Sequence, residues 1–312
     1  MEAFLSNLKK NFKGEIETDQ KTREQYSHDA SMFEIMPKAV VAPKDASDVE
    51  ELVKLVAKNK TKMPGLSVTA RSAGTDMSGA AINDSIIVDF KRYFNEIELI
   101  DEKKKIARLQ PGVFFRDLDE QAKKKGVLMP TYPASRDLCT VGGMVNNHAG
   151  GEKSIEYGKA EDFVNELEFV FADGIKRVVK PLTKPELDKK MKQKDFEGKV
   201  YREIFELVEK NYDKIKAAKP DVSKDSTGYH LWRVWDRETG IFDLTQVIVG
   251  AQGTLGFVTN IEFRMTDARS DEGLLVIFMK DIQPLGDLIK AIVKHKPSRF
   301  ESFDDNTLLL SM

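Results

Sequence analysis

Three clusters of small residues hold most of the groups in this chain that could do chemistry. The first, Arg71-Ser72-Ala73-Gly74-Thr75-Asp76-Met77-Ser78-Gly79, sets a guanidinium, hydroxyls and a carboxylate among residues of little bulk. The second spans Pro133 to Gly151 and joins Ser135, Arg136, Cys139, Thr140, Asn146, Asn147 and His148 to Gly142, Gly143 and Gly150. The third is Gly250-Ala251-Gln252-Gly253-Thr254-Leu255-Gly256. Loops without bulky side chains let backbone N–H groups come close to a diphosphate, and Arg71, Ser72, Thr75 and Ser78 add donors. Taken singly, each cluster also reads as an ordinary turn.

Spacing excludes the two common nucleotide motifs. Gly74 and Gly79 stand as in a P-loop, but Ala80-Ala81 occupies the places of its lysine and hydroxyl. No G-x-G-x-x-G occurs, so the Rossmann fingerprint is absent. Among the four histidines, His28, His148, His230 and His295, no pair has a local ligand spacing, and no metal site is assigned.

The elements that must position these loops follow from hydrophobic periodicity. Strands are expected at Ala39–Ala42, Ser67–Ala70, Ser85–Phe90, Phe163–Phe171, Gln246–Val249 and Phe257–Met265, with hairpins joining Ile97–Ile100 to Ile106–Leu109 and, across Asp173-Gly174, Phe171 to Ile175–Val179. Ser47 and Glu50 have capping-box spacing for a helix with Val49, Leu52, Val53 and Val56 on its buried stripe. A second helix is expected from Phe115 to Lys125, ended by Gly126. Residues 130–158 show little periodicity and read as a long functional loop. Residues 183–217 read as a lysine-rich helical insertion with Val200, Ile204, Val208 and Ile215 inward. Residues 1–37 read as a polar leader without a clear strand. From about Thr266 a new unit opens, with a strand Leu274–Met279, a helix Pro284–Lys294 and a strand Phe300–Asp304.

The chain has 312 residues, 41% hydrophobic and 32% charged, enough for a sizeable core and against disorder throughout. Lys and Arg number 49 against 51 Asp and Glu, a balance unlike the basic footprint of a nucleic-acid binder. One cysteine excludes an internal disulfide framework and fits a reducing, cytoplasmic setting. No stretch approaches the ~20 apolar residues of a membrane-spanning helix, and the N-terminus lacks the apolar core of a signal peptide. A peripheral membrane contact stays open.

In their order along the chain, Pro64 to Gly79, Pro133 to Asn147, Ala149-Gly150-Gly151, Tyr157-Gly158, Ala172-Asp173-Gly174 and Gly253 to Thr259 resemble the PCMH-type FAD-binding domain of the vanillyl-alcohol-oxidase superfamily. Within it the likeness is to the FAD-linked 2-hydroxyacid dehydrogenases, the group of the glycolate oxidase D-subunit and D-lactate dehydrogenase. It covers roughly residues 35–268. The resemblance implies an α+β fold: an FAD domain over 38–268, with α/β subdomains near 38–97 and 98–268, and the start of a truncated cap domain over 269–312. It implies an FAD between the subdomains, held by Arg71, Ser72, Ala73, Gly74, Thr75, Asp76, Ser78 and Gly79 of the first loop. The second loop would add Pro133, Ser135, Thr140, Gly142, Gly143, Asn146, Asn147 and Gly150, and the third Gly253, Thr254, Gly256 and Val258. It further implies oxidation of a small D-2-hydroxy acid, of the D-lactate, glycolate or D-2-hydroxyglutarate class, by hydride transfer to flavin N5. Electrons would pass to a quinone, a cytochrome or an electron-transfer flavoprotein.

The departures shape the expectations. Thr75 stands where some relatives carry a histidine bonded to the flavin, so FAD is expected to be noncovalent. His148 replaces a small residue. It could face the flavin and assist proton transfer, or face away as a surface histidine. Arg136 could hold a substrate carboxylate, or face solvent or an adenine phosphate. Cys139 reads as a small buried filler. The family's substrate residues lie mostly in the cap, so the catalytic residues stay unassigned, with His148 and Arg136 the only candidates. A flavin-binding subunit or inactive fragment, and another member of the superfamily, are the alternative readings.

Overall fold

The computed structural model describes all residues except 223, 224, 227, 270, 272 and 312. Its architecture is α+β, built on two main sheets, each with its own buried face. The first sheet holds β1 (Glu15–Glu17), β2 (Ala39–Ala42), β3 (Val68–Arg71) and β4 (Ile86–Asp89) in the order β1-β2-β4-β3. β2 and β3 run parallel to β4, and β1 pairs antiparallel with β2. β2 and β4 are covered on both faces, which suits their unbroken apolar runs Ala-Val-Val-Ala and Ile-Ile-Val.

The helix Ala46–Asn59 packs on this sheet through Val49, Leu52, Val53 and Leu55. Its cap is Asp45, whose side chain accepts from the N–H groups of Ser47 and Asp48, so the expected capping box from Ser47 to Glu50 does not form. The helix begins a residue earlier, where an aspartate already satisfies the free donors.

The second sheet is antiparallel: β5 (Ile97–Asp101), β6 (Ile106–Leu109), β7 (Val164–Val170), β8 (Lys176–Val179) and β9 (Phe257–Arg264), in the order β5-β6-β9-β7-β8. The expected helix forms as Phe115–Lys124, and Gly126 beyond it has a φ of 73°, the left-handed geometry expected of a stop. The insertion folds as helices Lys184–Met191, Phe196–Lys210 and Tyr212–Ala217. Val208 is fully buried there, while Val200, Ile204 and Ile215 are only partly covered. The two units meet where Val170 and Phe257 enter the core of the first, with Phe257 stacked on Phe90 at 5.7 Å between ring centres.

Several expectations need correction. Residues 1–37 are not a strandless leader: helix Glu2–Leu8 buries Phe4, Leu5 and Leu8 in the first core, and β1 extends its sheet. Single apolar residues set among charges hid this, because an edge strand of three residues has no period to detect. Thr245–Ile248 is a short helix, not a strand, and no strand forms over Leu274–Met279 or Phe300–Asp304. Leu274, Leu275 and Phe278 are exposed, so the apolar run lacks the partner strand that would fix it. The helix expected there is present as Leu285–Val293. No helix among the described residues is long and apolar enough to cross a membrane.

Candidate cofactor site

The first and second loops face each other across a cleft of about 650 Å³, and the third touches one end of it. The first loop leaves the C-terminal end of β3, an edge strand of the first sheet, and the carboxyl ends of strands are where open sheets tend to bind ligands. Ser72, Ala73, Gly74, Thr75, Asp76 and Ser78 line the cleft. The second loop contributes Pro133, Ser135, Thr140, Gly142, Gly143, Asn146 and Asn147, and the third contributes Gly253. Within the expected structureless stretch, residues 141–146 form a short helix that presents Gly143 to the cleft.

The loops are shaped by their own hydrogen bonds. Asp76 Oδ2 accepts from the N–H groups of Ser78 and Ala80 at 2.9 and 3.0 Å and from the Ser78 hydroxyl at 2.7 Å. Burial raises the Asp76 carboxyl, but these donors outweigh it and hold the group below its usual range. Asp76 thus folds the loop. Gly74, with φ at 69°, lets the chain turn over the Arg71 guanidinium, which lies 2.7 Å from where a Cβ would stand.

Arg71 itself is turned away from the cleft. Its Nη1 donates to the carbonyls of Tyr26 and Ala81 at 3.3 Å, and its guanidinium lies 5.2 Å from the centre of the Tyr26 ring. The N-terminal segment braces the loop from below. The Tyr26 hydroxyl donates to Asp89 Oδ2 at 2.6 Å, and the Ala30 N–H donates to the Gly74 carbonyl at 3.0 Å. Burial, then the Asp89 charge, raises the Tyr26 phenol to about 12, so it remains a donor across the ordinary pH range.

The first loop offers free donors to the cleft. Among the described residues, the N–H groups of Ala73, Gly74 and Thr75 have no acceptor within the chain. Thr140 Oγ1 is buried without a hydrogen-bond partner. An orphaned buried hydroxyl beside free N–H groups fits an anionic, oxygen-rich ligand. Among the described residues no lysine, arginine or histidine lines the cleft, so a diphosphate there would be met by backbone dipoles.

Other expected residues lie elsewhere. Gly79, Gly150, Thr254, Gly256 and Val258 do not line the cleft. Gly256 is needed for packing, since a Cβ would stand 2.4 Å from the Val170 carbonyl oxygen. Val258 lies in the core of the second unit. The Thr254 hydroxyl donates to the Ala251 carbonyl and meets the Tyr229 hydroxyl at 2.7 Å. Arg136 is exposed, 5.5 Å from the centre of the Tyr132 ring. His148 is neither in the cleft nor on the surface. It is 3% exposed, behind the second loop, with Nδ1 at 3.0 Å from Lys159 Nζ. Sequence reasoning missed Ala70, Met77, Ala134, Met144 and Gln252 as cleft walls, because apolar or neutral residues carry no chemical signature. Cys139 also lines the cleft; burial pushes its thiol up to about 11, so it acts as an apolar wall.

Residues 37–179 match the family model of the FAD binding domain. The chain is 31% identical over 311 residues to a D-2-hydroxyglutarate dehydrogenase of Pseudomonas putida, covering 99% of this chain and 30% of that protein. It is 26% identical over 290 residues to the glycolate oxidase subunit GlcD of Bacillus subtilis, covering 91% of this chain and 49% of that one. Among solved structures, an alkyldihydroxyacetonephosphate synthase aligns with a TM-score of 0.59 at 18% identity, over 87% of this chain and 41% of the other. The 6-hydroxy-D-nicotine oxidase of Arthrobacter nicotinovorans aligns with a TM-score of 0.54 at 20% identity, over 82% and 43%. This chain carries an FAD-binding domain of the PCMH type, and its cofactor is FAD. It spans 30% or less of the length of the D-2-hydroxyglutarate dehydrogenases of Pseudomonas putida and Escherichia coli.

Proposed function

We propose that the cleft is the FAD site and that the protein works as a flavin-dependent oxidoreductase on small D-2-hydroxy acids. The observation that carries this reading is the cleft's donor-lined, small-residue wall built from three loops, on a chain whose FAD domain is matched over 37–179. FAD bound there would supply the hydride acceptor at N5, with the substrate held at the flavin edge. The N–H groups of Ala73, Gly74 and Thr75 would hold the diphosphate, and the Thr140 hydroxyl would donate to an oxygen of the cofactor. Thr75 offers only a weakly nucleophilic hydroxyl where an imidazole would bond the flavin ring, which supports noncovalent binding. The two sheets serve as the proposed subdomains.

Among the described residues, nothing lining the cleft can clamp a carboxylate bidentately or take up a hydroxyl proton as histidine would. This favours a second reading: the described residues hold the cofactor, and turnover depends on groups outside them. A quinone, cytochrome or electron-transfer flavoprotein is the proposed electron acceptor, and the cytoplasm the proposed location.

The test is a panel of D-lactate, glycolate and D-2-hydroxyglutarate with an artificial dye, run on the FAD-loaded chain. Under the second reading, FAD is retained while dye reduction stays near the rate of free flavin. Rapid reduction by one of these acids would establish the full activity in this chain. Reduction only by a substrate of another class, such as an enolpyruvyl sugar nucleotide, would overturn the hydroxy-acid assignment.

A further inference from the structure

Behind the second loop, three ligand-type side chains from three separate segments meet out of contact with solvent. His148 follows the helix Val141–Asn146, Glu161 lies in the turn Ala160–Asp162, and His230 precedes the turn Leu231–Arg233. They are 3%, 8% and 4% exposed. Glu161 Oε2 is 2.6 Å from His230 Nδ1 and 3.4 Å from His148 Nε2, and one donor atom from each residue lies within 4.8 Å of the others. Nε2 of each histidine is buried with no hydrogen-bond partner. A buried imidazole nitrogen left without a partner costs free energy, and His148 Nε2, which points at Glu161, calls for a ligand.

The surroundings fix the donors. The His230 ring stacks on Trp232 at 4.7 Å and meets the edge of His148 at 4.7 Å. Arg233 Nη1 holds Glu161 Oε1 at 3.0 Å. His230 Nε2 faces Asp225 Oδ2 at 3.5 Å, the arrangement in which an outer carboxylate orients a ligating histidine. A separate cavity of about 180 Å³, lined in part by Glu161, Asp225, His230 and Trp232, opens on the cluster and leaves room for a further ligand such as water.

We propose that His148 Nε2, His230 Nδ1 and Glu161 form a binding site for one divalent transition-metal ion of the zinc type. Two imidazoles and a carboxylate suit such an ion, and an open position gives the three-plus-one coordination common for it. Lys159 competes from the opposite edge of the ring. Its Nζ lies 3.0 Å from His148 Nδ1 and also reaches the Ser226 hydroxyl and the Asp225 carbonyl. While Nδ1 accepts from that ammonium, the ring proton sits on Nε2. Metal at Nε2 moves the proton to Nδ1, and Lys159 must then rely on its other acceptors, the Ser226 hydroxyl and the Asp225 carbonyl among them. The ion would brace the cofactor cleft from behind, because Asn147 and Ala149, on either side of His148, both line it. The Gly250 backbone packs on His148, with a Cβ position 3.1 Å from the His148 Cβ.

The experiment is a titration of chelator-treated full chain with cobalt(II), followed by visible absorption and calorimetry. One Co²⁺ per chain is expected, displaced by Zn²⁺, with His148→Asn and His230→Asn each weakening binding about a hundredfold or more. Absence of saturable binding would overturn the proposal. So would binding unchanged in both variants, which would place the ion on other groups, such as the exposed His28 and Glu34. Should either variant fail to fold, Lys159→Met carries the test: tighter cobalt binding than the parent supports the site, and unchanged or weaker binding overturns it.

Discussion

Gly143→Asp is expected to leave the chain folded and to remove its FAD. A Cβ at Gly143 would have ordinary contacts only, 3.7 Å from Ser72 Cβ and 3.9 Å from the Thr140 hydroxyl, so the helix tolerates a side chain there. That side chain would point across the cleft between the first and second loops. A carboxylate at this place would stand beside the donors proposed to meet the diphosphate, in a site where no cationic side chain among the described residues offsets it. Repulsion in a partly dehydrated cleft amounts to a few kcal/mol, so FAD affinity should fall by about two orders of magnitude. Gly143→Ala, which adds bulk without charge, should lose about tenfold or less. Fluorescence titration with FAD and circular dichroism on the same samples check this. Equal losses in both variants would mean that volume, not charge, governs the site.

The second large effect concerns stability. Glu161 is the carboxylate around which His148, His230 and Arg233 gather, with Lys159 behind His148. Burial alone would raise its pKa, but His148, Arg233 and His230 outweigh burial and bring it from 4.5 to about 2. That shift corresponds to roughly 3 kcal/mol of stability. The folded pKa is the lower one, so this stability is fully present above pH 4.5 and is lost as pH falls toward about 2. In metal-free protein Glu161→Gln should therefore cost roughly 3 kcal/mol at pH 7, because it leaves the Arg233 guanidinium without its carboxylate partner. The gap between parent and variant should close as pH approaches 2. Urea unfolding of both proteins at pH 7, 4 and 3 checks the sign. A gap that stays constant with pH would show that Glu161 acts through packing alone.

Much of the framework was legible in the sequence, and the reasons are physical. β2 and β4 are apolar runs bounded by turn residues, and Asp173-Gly174 and Gly126 mark reversals that only a few residue types favour. The cofactor loops stood out because small residues are costly to accumulate without a reason of close approach. Less legible was what each loop residue does. Arg71 looks like a phosphate ligand by type, yet its guanidinium is spent on the Tyr26 and Ala81 carbonyls. Gly256 looks like cofactor contact, yet it is required by the Val170 carbonyl. Both contacts are tertiary, and no local spacing encodes them. The same holds for the N-terminal segment, whose Tyr26 reaches Asp89 across 63 residues, and for His148 and His230, which local ligand spacing could never have paired. Leu274–Met279 failed in the opposite way: its composition favours a strand, but a strand needs a neighbour, and the described residues provide none.

The most direct test of the account is the absorption spectrum of the purified chain, followed by acid precipitation and assay of the flavin released. The account predicts a yellow protein, or one that turns yellow on addition of FAD, that releases about one FAD per chain into the acid supernatant. A colourless protein that takes up no added FAD would contradict the cleft as a flavin site, and flavin that stays with the precipitate would contradict noncovalent binding.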